Sequence, residues 1–224
     1  MKYLLEECFS TELQVLTGMF GREQIAADFP RLNEIHQCTE KMWRDYVKRL
    51  PGRSVRYLLI AEAPPWSPPG RRPEYVLDPA SRSRTLMRAL RRAFLSPALS
   101  MGLDGDQALG EFAEQGLLVV DSIPFAMNYL NSRSKPQYGT LVGLTVHSYL
   151  RKKLLSSSLS FSPKMRIAFS VKKNAVAIIK ALGPQLVLEK AKFVLIPEQI
   201  GVNEAGYPDA DKLRCIYGLE PKAE

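Results

Sequence analysis

A short apolar stretch that ends in a carboxylate and two prolines limits the folds open to this chain. Residues 55–61 are rich in apolar, β-favouring side chains, a composition typical of a strand covered on both faces. Pro64 and Pro65 cannot donate to a β-ladder, so the strand must end by Ala63. Glu62 is therefore predicted at the carboxyl end of a buried strand, which is where open α/β sheets bind ligands.

Further apolar segments predict strands, and they alternate with segments of helical periodicity. The predicted strands are residues 55–61, 117–121, 165–169 and 192–196. The predicted helices are residues 1–18, 31–50, 81–95, 104–114, 139–155, 171–182 and 209–217. This alternation predicts an α/β fold, a three-layer sandwich in which a four-stranded parallel sheet is flanked by helices. The 224 residues are expected to form one domain, with residues 1–52 as a helical extension packed on it.

Polar side chains follow several of these predicted strands. Right-handed crossovers place all four carboxyl ends on one edge of the sheet, so Glu62, Asp121 and Glu198 are expected to share that edge. A pair of carboxylates can orient or deprotonate water, or stabilise a developing cation. Three aromatic residues near these positions in the sequence could stack on a nucleobase or simply pack in the core: Trp66, Tyr75 and Phe125.

The segment between the first strand and the next helix is stiff. Residues 64–79 contain six of the sixteen prolines, which lower the entropy cost of holding one loop shape. A long, stiff loop directly after the carboxyl end of a strand suits the wall of a binding site. A surface excursion without function is the alternative.

Positive charge is concentrated around residues 71–92, which hold seven arginines against Glu74 and Asp78. Arginine forks match phosphate geometry, and the net charge of +8 favours a polyanionic partner, with nucleic acid first. A solvated helix face is the alternative reading of the arginines. The residues expected to contact nucleic acid are Arg71, Arg72, Arg82, Arg84, Arg88, Lys172 and Lys173.

Several familiar signatures are missing from the sequence. It contains no phosphate-binding P-loop, no dinucleotide-binding G-x-G-x-x-G after a strand and no G-x-S-x-G nucleophile elbow. The three cysteines are widely spaced, so neither a disulfide framework nor a metal or other cofactor is expected. With no signal peptide or membrane span recognised, the chain is expected to be a cytoplasmic monomer without membrane contact.

The strand and its carboxylate resemble a known motif. Residues 58–65, LLIAEAPP, resemble the first motif, G-E-A-P-G, of one branch of the uracil-DNA glycosylase superfamily, with alanine and proline in place of the two glycines. Residues 72–76 resemble the segment that carries the base-stacking aromatic. Residues 117–128 resemble the strand in which that branch reads the base, and residues 167–175 its third strand and following helix.

The resemblance implies DNA repair by base flipping and cleavage of an N-glycosidic bond. Glu62 would be catalytic, positioning water or supporting the cationic sugar. The implied substrate-binding residues are Ala63, Pro64, Trp66, Tyr75, Asp121, Phe125, Asn128 and Glu198. Asp121 stands where the family usually has an asparagine, so it favours a base with an amino group, or must be protonated to bind uracil.

The sequence also departs from the family. The family's fourth strand leads into His-Pro-Ser, whose histidine stabilises the leaving base, whereas here Pro197-Glu198-Gln199 follows. The iron–sulfur members need four cysteines, and this chain has three. Two alternatives stay open: a glycosylase-like fold that binds nucleic acid or a protein partner without catalysis, and a hydrolase of small nucleosides or nucleotides.

Overall fold

The structure is a computed structural model that describes residues 5–80, 85–127, 131–155, 159–182, 185–188, 191–194 and 198–219. Its α-helices are α1 Leu5–Cys8, α2 Ser10–Phe20, α3 Arg22–Val47, α4 Leu86–Phe94, α5 Pro97–Gly102, α6 Gly105–Glu114, α7 Tyr138–Thr145, α8 Arg151–Leu154, α9 Lys172–Leu182 and α10 Ala210–Tyr217. A π-helical turn, Val146–Leu150, joins α7 to α8. The strands are β1 Ser54–Ala61, β2 Leu117–Asp121, β3 Ser160–Phe169, β4 Gln185–Leu188 and β5 Ala191–Val194.

The centre of the fold is a parallel sheet in the order β2-β1-β3. β1 is central and apolar, and Leu58, Leu59 and Ile60 have no exposed surface. Burial on both faces is the usual state of parallel strands, because helices cover each side. The prediction of an α/β fold with a parallel sheet flanked by helices is therefore confirmed.

The predicted fourth parallel strand is not confirmed. β5 pairs antiparallel with β4, in a separate two-stranded sheet. Only two residues separate these strands in the sequence, a spacing typical of a hairpin. Beside β3, the described chain instead contributes one parallel bridge between Phe169 and Ile200.

The two faces of the sheet are covered by different helices. On one face, the Tyr57 ring packs against Phe94 of α4 and Tyr217 of α10, with ring centroids 5.4 and 5.2 Å apart. On the other face, residues of α7 and α9 reach the end of β1. α3 lies beside β2, where the Tyr46 hydroxyl donates to the carbonyl of Leu117 at 2.7 Å.

Several helix boundaries differ from the predicted ones. α3 begins at Arg22 and contains Pro30, whereas the sequence predicted a start near residue 31. A proline removes one backbone donor, and a 26-residue helix that packs along its length tolerates that loss.

Within the described residues, no helix is both long enough and apolar enough to cross a membrane.

Gly105 fixes the end of the proline-rich loop against α6. A Cβ at this position would lie 2.0 Å from the carbonyl oxygen of Pro79, so Gly105→Ala must displace backbone. We expect this substitution to lower the free energy of unfolding by about 1–3 kcal/mol. Gly110→Ala, in the same helix and with nothing within 4 Å of its Cβ, should instead raise it by up to about 1 kcal/mol.

Urea denaturation of the two variants measures this difference. Equal free energies of unfolding for Gly105→Ala and Gly110→Ala would show that the contact between Pro79 and α6 does not constrain the loop.

Candidate functional site

A cleft of about 620 Å³ opens at the carboxyl edge of the parallel sheet. Its walls come from the ends of β1 and β2, the proline-rich loop, the start of α4 and the segment before α10. The lining residues are Ala61, Ala63, Pro65, Glu74, Tyr75, Val76, Thr85, Leu86, Asp121 and Pro208. The volume lies within the ~300–1,000 Å³ usual for small-molecule sites, and the location is the one that α/β sheets use for ligands.

Strand register places Asp121 in this cleft. Ala61 of β1 and Asp121 of β2 are paired residues, so their side chains point to the same face of the sheet. Because successive side chains alternate, Ala63 shares that face and Glu62 points to the opposite one. Glu62 and Asp121 thus share the sheet edge, as the sequence predicted, but lie on different faces.

Asp121 is a buried acid that lines the cleft, with 3% of its surface exposed. Burial raises the pKa of Asp121 to about 7; the charges of Glu40 and Glu62 add to this rise, while Lys153 and a hydrogen bond with Tyr75 limit it. Burial, together with the Asp121 charge, raises the pKa of Tyr75 well above 10, so the Tyr75 hydroxyl is the donor of that bond. Within the described structure, Oδ2 of Asp121 has no hydrogen-bond partner.

Glu62 is held on the other face by an arginine and a tyrosine. Arg133 donates from Nε to Oε1 at 2.9 Å and from Nη2 to Oε2 at 2.6 Å. The Tyr138 hydroxyl donates to Oε1 at 2.7 Å. Both carboxylate oxygens of Glu62 therefore accept hydrogen bonds. Arg133 and Glu62 form a bidentate, charge-assisted ion pair, and half of the Arg133 side chain stays exposed.

The strand end beneath Glu62 is also tied to α9. The Ser122 hydroxyl donates to the carbonyl oxygen of Glu62 at 3.0 Å, and the side-chain amide of Asn174 donates to Ser122 Oγ at 2.8 Å. Asn174 and Ser122 have no exposed surface. These bonds fix the backbone of Glu62, and with it the direction of its side chain.

Two buried charged groups hold the proline-rich loop in shape. Arg31 of α3 donates to the carbonyl of Ser67 at 2.7 Å and also to the carbonyl of Arg71. Within the loop, Arg72 pairs at 2.6 Å with Asp78, which is 1% exposed. The loop is thus a braced wall of the cleft, which agrees with the role predicted for its prolines.

The cleft collects some of the predicted substrate-binding residues and omits others. Ala63, Tyr75 and Asp121 line it, whereas Glu62 does not. The other described candidates also lie outside its lining: Pro64, which is buried, Trp66, which is half-buried, Phe125, which has no exposed surface, and Glu198, which is exposed. Asn128 lies outside the described residues.

The predicted nucleic-acid surface is partly described. Arg71, Arg88, Lys172 and Lys173 are exposed. Arg72 is exposed as well, but its guanidinium is paired with Asp78. Arg82 and Arg84 lie outside the described residues. The described cations are thus distributed over the loop, α4 and the first turn of α9.

Several residues of the site were not singled out from the sequence. Glu74 and Thr85 line the cleft, and Arg133, Tyr138 and Asn174 surround Glu62 and the adjoining strand end. One signal was available for Arg133: a carboxylate at the end of a buried strand requires a cation, and Arg133 lies in the polar segment after β2. In the described part of the chain, no three His, Cys, Asp or Glu side chains are grouped as metal ligands.

Comparisons with family models, with curated protein sequences and with solved structures gave no match to this chain.

Proposed function

We propose that the chain hydrolyses an N-glycosidic bond and is a divergent relative of the uracil-DNA glycosylases, with the cleft as its base pocket. The observation that carries this proposal is Asp121, a buried acid at a strand end that lines the cleft beside Tyr75 and has a pKa of about 7. A buried, perturbed acid in a cleft is typical of a catalytic acid or base.

Asp121 would act on the leaving base. As the bond between C1′ and the base nitrogen breaks, its electron pair moves to the base and the proton of Asp121 follows. Water then adds to C1′ and returns a proton to the Asp121 carboxylate. This would supply the leaving-group stabilisation that the histidine gives in the family and that the sequence Pro197-Glu198-Gln199 lacks.

The two protonation states of Asp121 would also select bases. The ionised carboxylate accepts a hydrogen bond from an exocyclic amino group, whereas the protonated form donates to a carbonyl oxygen or ring nitrogen. Since the pKa is about 7, both forms are present at neutral pH. We therefore expect activity on carbonyl-bearing bases to fall as the pH rises above 7.

In this proposal Glu62 is a positioning residue. Its carboxylate is held by the half-exposed guanidinium of Arg133 on the other face, so it would act on the cleft through the strand end and through its charge, which raises the pKa of Asp121. The catalytic role first predicted for Glu62 would require both Arg133 and Tyr138 to release it.

One observation favours the smaller of the two substrate classes. Arg72 lies in the loop that forms a wall of the cleft, and it is paired with Asp78. Because Asp78 neutralises its charge, Arg72 contributes little to the attraction of a polyanion such as DNA. A hydrolase of free nucleosides or nucleotides is therefore the second candidate, with the same cleft and the same acid.

Base release from oligonucleotides that carry a single deaminated or alkylated base, and from the matching nucleosides, tests the proposal. We expect Asp121→Asn to lower the rate about 10²–10⁴-fold, the usual contribution of a general acid. Glu62→Gln, which keeps an acceptor for Tyr138, should cost about tenfold or less.

The outcomes of these assays distinguish between the proposals. Full activity of Asp121→Asn, or no base release from any substrate, would contradict the proposal. Turnover of nucleosides with no activity on oligonucleotides would assign the smaller substrate class.

A further inference from the structure

A second cavity, of about 940 Å³, lies between the start of the chain, α3 and the π-helical turn. It is distinct from the cleft, because no residue lines both. Its residues are Glu7, Cys8, Phe9, Glu34, His36, Gln37, Cys38, Glu40, Lys41, Trp43, Arg44, Ser148, Tyr149, Lys152 and Lys153. The proposed function gives none of them a contact with its substrate, although Glu40 and Lys153 influence the pKa of Asp121.

Aromatic rings form the deep wall of this cavity. Phe9 packs edge-on against His36 and Tyr149, with ring centroids 5.7 and 5.9 Å apart. Trp43 completes the wall, and its buried indole N–H makes no hydrogen bond within the described residues. Such walls suit flat, apolar ligand bodies.

A buried ion pair lies at the base of the wall. Lys153 Nζ pairs with Glu40 Oε1 at 2.6 Å and donates to the Tyr149 hydroxyl oxygen, also at 2.6 Å. The ammonium lies 4.3 Å from the centroid of Trp43 and 4.5 Å from that of Tyr149. Buried ion pairs add little to stability compared with apolar residues of similar size, so this one is not explained by packing alone.

The π-helical turn supports a binding role. It contributes Ser148 and Tyr149 to the cavity, within an otherwise α-helical run from Tyr138 to Leu154. π-helical turns are rare and occur frequently at functional sites.

The free charges at the rim are mostly positive. Glu40 is paired with Lys153, and Glu34 with Arg31 at 2.6 Å. In the described part of the chain, the remaining charged lining residues make no ion pair: Glu7, Lys41, Arg44 and Lys152. The rim therefore presents three exposed cations against one acid.

We infer that this cavity binds a small aromatic organic anion, with its rings against Phe9, Trp43 and Tyr149. Its carboxylate, sulfonate or phosphate group would lie at the rim, where Lys41, Arg44 and Lys152 attract it. The charge at the rim selects the anion, and the aromatic wall selects a flat body over an aliphatic chain.

Fluorescence titration with 1-anilinonaphthalene-8-sulfonate, an aromatic anion, tests this inference. The chain has two tryptophans, so Trp66→Phe leaves Trp43 as the single indole donor for energy transfer to the bound probe. We expect one bound probe per chain, with quenching of Trp43 emission. N-phenyl-1-naphthylamine, which lacks the sulfonate, should bind at least about fivefold more weakly, and decanoate should compete poorly.

A charge-matched pair of variants locates the site. Lys41→Gln with Arg44→Gln should weaken binding of the sulfonate about fivefold to tenfold, in the range of two exposed charge contacts. Lys48→Gln with Arg22→Gln removes the same charge from two exposed positions that do not line the cavity, the first residue of α3 and the residue just after its end, and should leave binding unchanged. All four residues are exposed, so the fold should not be affected.

Three results would overturn the inference: equal affinity for the neutral probe, no quenching of Trp43, or equal effects of the two variant pairs.

Discussion

Asp121→Asn is expected to make the protein more stable at pH 8 while removing its proposed activity. Burial raises the pKa of Asp121 to about 7, whereas an unfolded chain has a pKa near 3.9 at this position. Between these values the folded state holds a proton that the unfolded state releases. Stability from this group is therefore lost as the pH rises from about 4 to about 7.

The size of the effect follows from linkage. The raised pKa of Asp121 lowers the free energy of unfolding by about 4 kcal/mol above pH 7, and by only about 1 kcal/mol at pH 4.5, where the unfolded state is just beginning to release the proton. An asparagine cannot ionise, so the difference in unfolding free energy between Asp121→Asn and the unchanged chain should grow by about 3 kcal/mol between pH 4.5 and pH 8.

Urea denaturation at the two pH values measures this difference. Asp106→Asn is the matched control, because Asp106 is exposed and a hydrogen bond from Arg49 lowers its pKa. Its variant should respond weakly to pH, and in the opposite direction. A pH-independent difference for Asp121→Asn would mean that Asp121 ionises at its ordinary pKa and is not the acid of the site.

Lys153→Met is expected to lower the free energy of unfolding by about 3–5 kcal/mol, because it leaves Glu40, whose side chain is only 18% exposed, without its cation. Burial alone raises the pKa of Glu40, but the charge and hydrogen bond of Lys153 outweigh burial, so the pKa lies below its ordinary value. Burial lowers the pKa of Lys153, and the negative charge of Glu40 partly offsets this decrease. Each partner thus favours the ionised form of the other.

A double-mutant cycle separates the pair from its surroundings. Glu40→Gln keeps an acceptor for the Tyr149 hydroxyl, which donates to Glu40 at 2.7 Å. The double variant Lys153→Met, Glu40→Gln should therefore be more stable than Lys153→Met alone, since no uncompensated charge remains. A loss below about 1 kcal/mol for Lys153→Met would mean that water reaches Glu40.

The sequence was sufficient for β1 and β2, because an apolar run followed by an acid marks both the strand and its carboxyl end. For β3 it predicted only residues 165–169, since the first half of the strand, which begins at Ser160, lacks an apolar run. It also singled out Asp121 and Tyr75, which line the cleft. It could not decide which face each side chain takes, since that depends on the pairing of Ala61 with Asp121. A shift of one residue in that register would exchange the positions of Glu62 and Ala61.

The partners of Glu62 were hidden for a related reason. Arg133 and Tyr138 are 71 and 76 residues away in the sequence, and neither has a local pattern that points to Glu62. The pKa of Asp121 likewise depends on Glu40 and Lys153, from two helices distant in sequence. Long-range electrostatics of this kind need the fold, whereas strand periodicity is local.

The irregular stretch of β3 bears on how readily this strand could pair with another chain. Bare strand edges can pair with another chain and begin aggregation. The pairing of β3 with β1 is irregular between Val55 and Tyr57, and this part of β3 contains Pro163, which has no amide hydrogen to donate. Exposed Lys164 and Arg166 add like charges along the strand. The kink, the proline and the two charges make this stretch of β3 a poor template for pairing with another strand.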